Sequence, residues 1–92
     1  MGKEVVLFKS EEKRSTAEVA AFLRQLADRV EKQEVILRQG AEELTLTLPG
    51  MVTLEVKAEE ETSRSGKVTH SLEVELEWKP GGEKQGGALE LG

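Results

Sequence analysis

The sequence contains no cysteine, no tyrosine and no asparagine in its 92 residues, and its only aromatic side chains are two phenylalanines and one tryptophan. Without cysteine, a disulfide framework, a zinc–thiolate site and a thiol nucleophile are all excluded. No apolar stretch approaches the roughly 18 residues that a membrane span requires, and no signal-peptide core follows Met1. The sequence therefore predicts a cytoplasmic protein without a membrane partner, whose core is built from leucine and valine.

The charge is strongly biased, because the formal net charge is −5 and 17 of the 18 acidic residues are glutamate. A surface of this kind repels phosphate backbones at long range, so nucleic acid is disfavoured as a partner. Hydrophobic residues make up 37% of the chain, which is typical of a folded domain. We predict a single domain over residues 1–79, followed by a flexible glycine-rich tail over residues 80–92.

The first elements are predicted to be a strand and a helix. Lys3–Lys9 contains four consecutive apolar residues, which indicates a strand buried on both faces. The tetrapeptide Ser15–Glu18 (STAE) has the form of a capping box, so a helix should begin at Ser15 and end near Lys32 or Gln33. Its apolar residues recur at helical spacing and form one stripe: Val19, Phe22, Leu23, Leu26, Ala27 and Val30.

The remaining chain alternates between apolar and polar residues, and parity predicts how its strands pair. A two-residue Gly40-Ala41 turn of type II′ places Leu37 opposite Leu44. A three-residue loop, Pro49-Gly50-Met51, places Leu46 opposite Leu54 and joins the first hairpin to the second.

The second hairpin is predicted to turn at Arg64-Ser65-Gly66, with the glycine in the left-handed conformation. This register sets Glu60 opposite His70, Lys57 opposite Glu73, and Val52 opposite Trp78, while a five-residue loop remains open as an alternative. We expect Trp78 to be a core anchor under the helix stripe, and a partner hot spot is the other interpretation.

These elements predict an α+β fold of order β-α-β-β-β-β, with one amphipathic helix packed on one face of a mainly antiparallel sheet of four to five strands. The place of the first strand stays open. It can run parallel beside the second strand through a right-handed crossover, or antiparallel along the last strand.

Four segments taken together resemble the amphi-Trp domain family of small bacterial and archaeal domains. They are LFKSEEKRS at 7–15, AEVAAFLRQLADRV at 17–30, LRQG at 37–40 and LEVELEW at 72–78. The resemblance covers the chain in order up to Trp78. It implies a domain that stands alone or is appended to others, and it brings no activity, substrate or catalytic residue to this chain.

No catalytic, cofactor-binding or metal-ligating residue stands out, and no cofactor is predicted. His70 is the only histidine, and its pairing with Glu60 could serve as a general base or as two metal ligands. Neither a triad nor a three-ligand site can be completed around it. A minor nucleic-acid contact through Lys9–Arg14 is a further alternative, although acidic residues interrupt these charges.

We therefore expect a non-enzymatic interaction or structural module whose partner is another protein or the chain itself. A small-ligand or metal-binding domain using Glu60 and His70 is the alternative. The preference follows from apolar surplus on the first strand and at Ile36, because one short helix cannot cover both sides of a sheet.

The capping box generates the first testable prediction. Ser15→Ala should lower the free energy of unfolding by about 1 kcal/mol, because the N–H of Glu18 loses its acceptor. Denaturant titration followed by circular dichroism measures the effect, and an unchanged midpoint would mean that the helix begins elsewhere, for example at Ser10.

Overall fold

A computed structural model describes residues 2–80, which divide into two compact units between Leu48 and Pro49. The predicted tail over residues 80–92 lies outside the described residues apart from Pro80. The single domain over residues 1–79 stays a prediction, and each unit is described by itself. Within residues 2–80, no helix has the length and apolarity of a membrane span.

The first unit contains one helix and one hairpin. Helix α1 spans Thr16–Glu31, β1 spans Glu34–Gln39 and β2 spans Glu42–Thr47. The capping box is present as predicted, since Ser15 Oγ accepts from the N–H of Glu18 at 3.0 Å and the Glu18 carboxylate accepts from the N–H of Ser15 at 3.0 Å. This bond to the Ser15 backbone lowers the pKa of Glu18.

The β1–β2 hairpin has the predicted register. Leu37 lies opposite Leu44, and the cross-strand ion pair between Arg38 Nε and Glu43 Oε2 measures 3.0 Å. Gly40 has φ 60°, as a type II′ turn requires at its first central position. Helix α1 packs on β1, and the two buried apolar side chains of the described chain, Val35 and Leu48, belong to this unit.

Gln33 joins the helix to the hairpin. It has φ 63°, a left-handed conformation that is costly for a residue with a side chain. Its carbonyl accepts from the N–H of Leu48 at 2.9 Å, and its Nε2 donates to the carbonyl of Leu48 at 3.0 Å. These two bonds continue the ladder one step beyond β1 and hold the strained residue in place.

The second unit is a longer hairpin. Strand β3 spans Thr53–Thr62 and β4 spans Val68–Glu77, and they pair in the predicted register, with Leu54 opposite Leu76. The turn closes through Ser63, whose N–H donates to the carbonyl of Lys67 at 2.8 Å. Gly66 has φ 88°, which confirms the three-residue loop with glycine in the left-handed conformation.

The predicted pairing of the two hairpins is wrong. Among residues 2–80, strands β1 and β2 form one two-stranded sheet and β3 and β4 another, so Leu46 does not pair with Leu54 and no four- to five-stranded sheet forms there. The backbone N–H and carbonyl of Leu48 both bond to Gln33. The backbone groups of the next residue are therefore directed toward the other edge of β2. That residue is Pro49, which has no N–H to donate, and the chain leaves the ladder there.

The predicted strand at Lys3–Lys9 is also absent, because this segment has neither helical nor strand structure. Its side chains Val5 and Val6 are 70% and 72% exposed. Apolar composition alone does not make a strand, since each strand needs a partner for its backbone N–H and C=O groups.

The Gln33 linkage generates the second prediction. Gln33→Ala should destabilise the protein by about 1 kcal/mol, because it removes the side-chain bond to Leu48 and keeps the backbone strain. Gln33→Gly is the matched control, since glycine loses the same bond but relieves the strain. In a urea titration, the glycine variant should unfold at a higher urea concentration than the alanine variant. Equal midpoints would contradict the role of strain at Gln33.

Candidate functional site

One face of the hairpin exposes most of the large apolar side chains that are exposed in the second unit. Side chains alternate between the two faces of a strand, so the even-numbered residues of β3 and β4 share a face. We call this the hairpin face; its apolar residues are Leu54, Val56, Ala58, Val68, Leu72, Val74 and Leu76, and Glu60, Thr62 and His70 lie on it toward the turn.

These side chains lie in water. Leu72 is 71% exposed, Leu54 and Val74 are each 62% exposed, and Val56 is 60% exposed. The expectation that this face is buried is therefore wrong. Burial of a leucine or valine contributes about 1.5–3 kcal/mol, so most of that stabilisation is unrealised here.

The opposite side of the hairpin is acidic. We call it the glutamate face; it consists of Glu55, Glu59, Glu61, Glu73, Glu75 and Glu77. Lys57 also lies there and forms ion pairs with Glu59 at 3.7 Å and with Glu73 at 3.8 Å. Because these carboxylates are well solvated, the glutamate face resists stacking on another acidic surface.

Glu55 and Glu75 lie directly opposite each other on the glutamate face. The hydrogen bond between their carboxyl groups, followed by the charge of Glu55, raises the pKa of Glu75, and the charges of Glu77 and Glu73 add to the effect. Negative charge is therefore concentrated in the C-terminal half of β4, where a cation would be stabilised.

His70 and Glu60 come together as predicted, with 3.2 Å between His70 Nε2 and Glu60 Oε1. Their side chains are 74% and 65% exposed. Within residues 2–80 no cluster of three or more histidine, aspartate or glutamate side chains could hold a metal ion. The pair lies at the turn end of the hairpin face, where the two polar side chains hydrogen-bond to each other.

The basic segment Lys9–Arg14 is locally neutralised. The guanidinium of Arg14 forms ion pairs with Glu12 and, at 3.9 Å, with Glu18. The hydrogen bond and charge of Glu12 raise the pKa of Arg14. Little positive charge is left in this segment for a phosphate backbone.

Trp78 is half-buried at the end of the second unit, where it lines an open hollow of about 580 Å³ together with Val52 and Met51. Trp78 was expected to be a buried core anchor, and it is only half-buried. Met51 is 83% exposed. Trp78 thus extends the apolar surface of the hairpin toward its open end.

In the first unit, the N-terminal half of the helix stripe is similarly open. Val19, Phe22 and Leu23 are 44%, 53% and 51% exposed, whereas Leu26 and Val30 are half-buried. Phe8 and Phe22 line a hollow of about 610 Å³ beside Ile36. The apolar side chains that line the two hollows were not predicted to be open to solvent, since sequence periodicity shows which residues share a face but not what covers it.

The comparisons with known proteins show a family and no individual relative. The family model described as the Amphi-Trp domain matches residues 1–92. No curated protein and no solved structure gives a significant match.

The carboxyl pair on the glutamate face generates the third prediction. Because the pKa of Glu75 is raised in the folded hairpin, its contribution to stability is present at low pH and is lost as the pH rises through that pKa. Glu75→Gln should therefore raise the denaturation midpoint at pH 7 and have less effect below the ordinary carboxyl pKa of 4.5.

Glu73→Gln is the matched control for this prediction. It removes one charge from the same strand face but also removes the ion pair with Lys57. It should not stabilise the protein at pH 7, and equal gains from the two variants would contradict a specific effect of the Glu55–Glu75 contact.

Proposed function

This chain belongs to the Amphi-Trp domain family, and within that fold we propose that it is a non-enzymatic interaction module that binds a second copy of itself through the hairpin face. The observation that carries the proposal is the 60–71% exposure of Leu54, Val56, Leu72 and Val74 on one continuous face. Contiguous apolar surface of this kind marks interaction sites.

The dimensions of the face suit a small dimer. Two ten-residue strands extend about 34 Å and cover a width of about 10 Å. The flat footprint is therefore about 340 Å² per copy, before side-chain relief is counted. Doubled over two copies, it gives about 680 Å², which is below the roughly 1,000 Å² of specific interfaces and is in the range of a weak, reversible dimer.

A second copy suits the face better than a partner recognised by charge. The hairpin face carries only two ionisable groups, Glu60 and His70, and they pair with each other. A two-fold interface brings the same patch of both subunits together, so apolar side chains meet apolar side chains with no need for charge matching.

The net charge of −5 does not prevent this association. Sheets that pack face to face lie about 10 Å apart, and the glutamate faces point outward from such a pair. Their separation then exceeds the Debye length of about 8 Å at physiological salt, so the repulsion is largely screened.

A cytoplasmic location is part of the same proposal. It is supported by the absence of cysteine, since the chain has no disulfide that would require an oxidising compartment. Neither Glu60–His70 nor Lys9–Arg14 supports a second candidate function. The first offers two ligands, and glutamates neutralise part of the second.

The fourth prediction tests self-association. Sedimentation equilibrium over a range of concentrations should show a monomer–dimer equilibrium for the full chain. Leu72→Lys should raise the dissociation constant by about tenfold or more, because each subunit then buries a lysine in an apolar interface. Leu72 is exposed in the single chain, so its loss leaves the monomer folded.

Ser71→Lys is the matched control. It adds the same charge to the neighbouring residue, but on the glutamate face opposite Glu59. It should dimerise like the unchanged chain. A monomer at all concentrations, or equal effects of the two lysines, would overturn the proposal.

A further inference from the structure

The segment Lys3–Lys9, which we call the arm, has strand composition without a partner strand. Val5, Val6 and Leu7 are 70%, 72% and 62% exposed. No backbone N–H of the arm donates a hydrogen bond to another residue among those that the structure describes. An apolar run of this kind leaves both its side chains and its backbone groups in water.

Strand β4 has a free edge. Its one partner within residues 2–80 is β3, and a two-stranded sheet is at most marginally stable in water. Ser63 bonds to Lys67, and hydrogen-bonded pairs alternate along an antiparallel ladder. The odd-numbered residues of β4 therefore bond to β3, while Leu72, Val74 and Leu76 direct their N–H and C=O groups toward the free edge.

We propose that the arm of one copy adds to the free edge of β4 in a second copy, as an antiparallel third strand. This inference rests on the proposed self-association and names the segment that completes it. It adds a strand to each hairpin face, and three strands with an apolar face reach the size at which a sheet is stable.

Charge selects which side of the arm meets which face of the hairpin. Lys3 and Lys9 have the same parity, so they lie with Val5 and Leu7 on one side of an extended arm, while Val6 and Phe8 lie with Glu4 on the other. The lysines fit the glutamate face, where the crowded carboxylates raise the pKa of Glu75. Val6 and Phe8 then extend the hairpin face.

The opposite orientation is unfavourable. It would place two charges, Lys3 and Lys9, on the apolar side in place of the single charge of Glu4, and it would place Glu4 against the glutamate face. Like charges on neighbouring strands destabilise a sheet, and a charge against apolar surface loses solvation. In the single chain, Phe8 is half-buried beside Ile36, so association exchanges one apolar contact for another.

The parity of the arm also fixes its hydrogen bonds. In an antiparallel pair, residues that lie opposite each other and share a face exchange both N–H···O=C bonds at every second position. The arm residues that lie opposite Leu72, Val74 and Leu76 share the hairpin face with them, so they are the even-numbered ones. The N–H of Val6 therefore bonds to β4. The N–H of Val5 points away from β4, where proline is tolerated on an edge strand.

The fifth prediction uses this difference in the full chain. Val6→Pro should raise the dimer dissociation constant by about tenfold or more, since both arms lose a bond to β4. Val5→Pro should leave it within about threefold of the unchanged chain. Both residues are exposed and unpaired in the single chain, so the two dilute monomers should unfold alike.

Amide hydrogen exchange supplies the second readout. At concentrations that populate the dimer, the N–H of Val74 should be protected in the unchanged chain and in Val5→Pro, and should exchange freely in Val6→Pro. A dimer that ignores both prolines and leaves Val74 unprotected would overturn strand addition and leave the hairpin-face dimer standing.

The remaining outcomes are also decisive. Equal loss with both prolines, or loss with Val5→Pro alone, would contradict antiparallel addition through the predicted parity. Protection of Val74 that is independent of concentration would show that the arm folds onto its own chain. A chain that is monomeric at all concentrations would overturn the proposed self-association, and strand addition with it.

Discussion

Side-chain alternation along β3 and β4 is the constraint on which the account depends. It places every apolar residue of the two ten-residue strands on one face and six glutamates on the other. Transfer of the apolar face out of water is favourable, whereas transfer of the glutamate face out of water is unfavourable. The hairpin is therefore directional, with one surface suited to contact and one suited to solvent.

In the proposed dimer, the glutamate face and the arm give this surface its specificity. The carboxylates restrict stacking on the wrong side, and the long edge of β4 would otherwise invite pairing with any exposed strand. An arm with a lysine at each end matches that edge, whereas an acidic strand does not. In the proposed arrangement, one set of charges both keeps one face in solvent and selects the strand that joins the hairpin.

Local signals in the sequence were sufficient for much of the fold. Ser15 and Glu18 marked the helix start, and parity set Leu37 against Leu44 and Glu60 against His70. These features depend on residues close in sequence or on the two-residue period of a strand. The pairing of Glu60 with His70 was therefore predictable, even though it forms no metal or catalytic site among the described residues.

Features that depend on long-range partners were not predictable. The strand composition of Lys3–Lys9 does not specify an edge, and in the single chain it has none. The ladder ends after Leu48 because Gln33 binds both the N–H and the carbonyl of Leu48. Nothing in the sequence marks Gln33 as left-handed. The exposure of the hairpin face likewise depends on what packs against it, which periodicity does not reveal.

The most direct test is an isotope-filtered nuclear Overhauser experiment on a mixture of labelled and unlabelled chains, since it detects only contacts between copies. The account predicts intermolecular contacts between the methyl groups of Leu72 and Val74 in one copy and those of Leu54 and Val56 in the other. Contacts confined to single chains, at concentrations where the dimer should dominate, would contradict it.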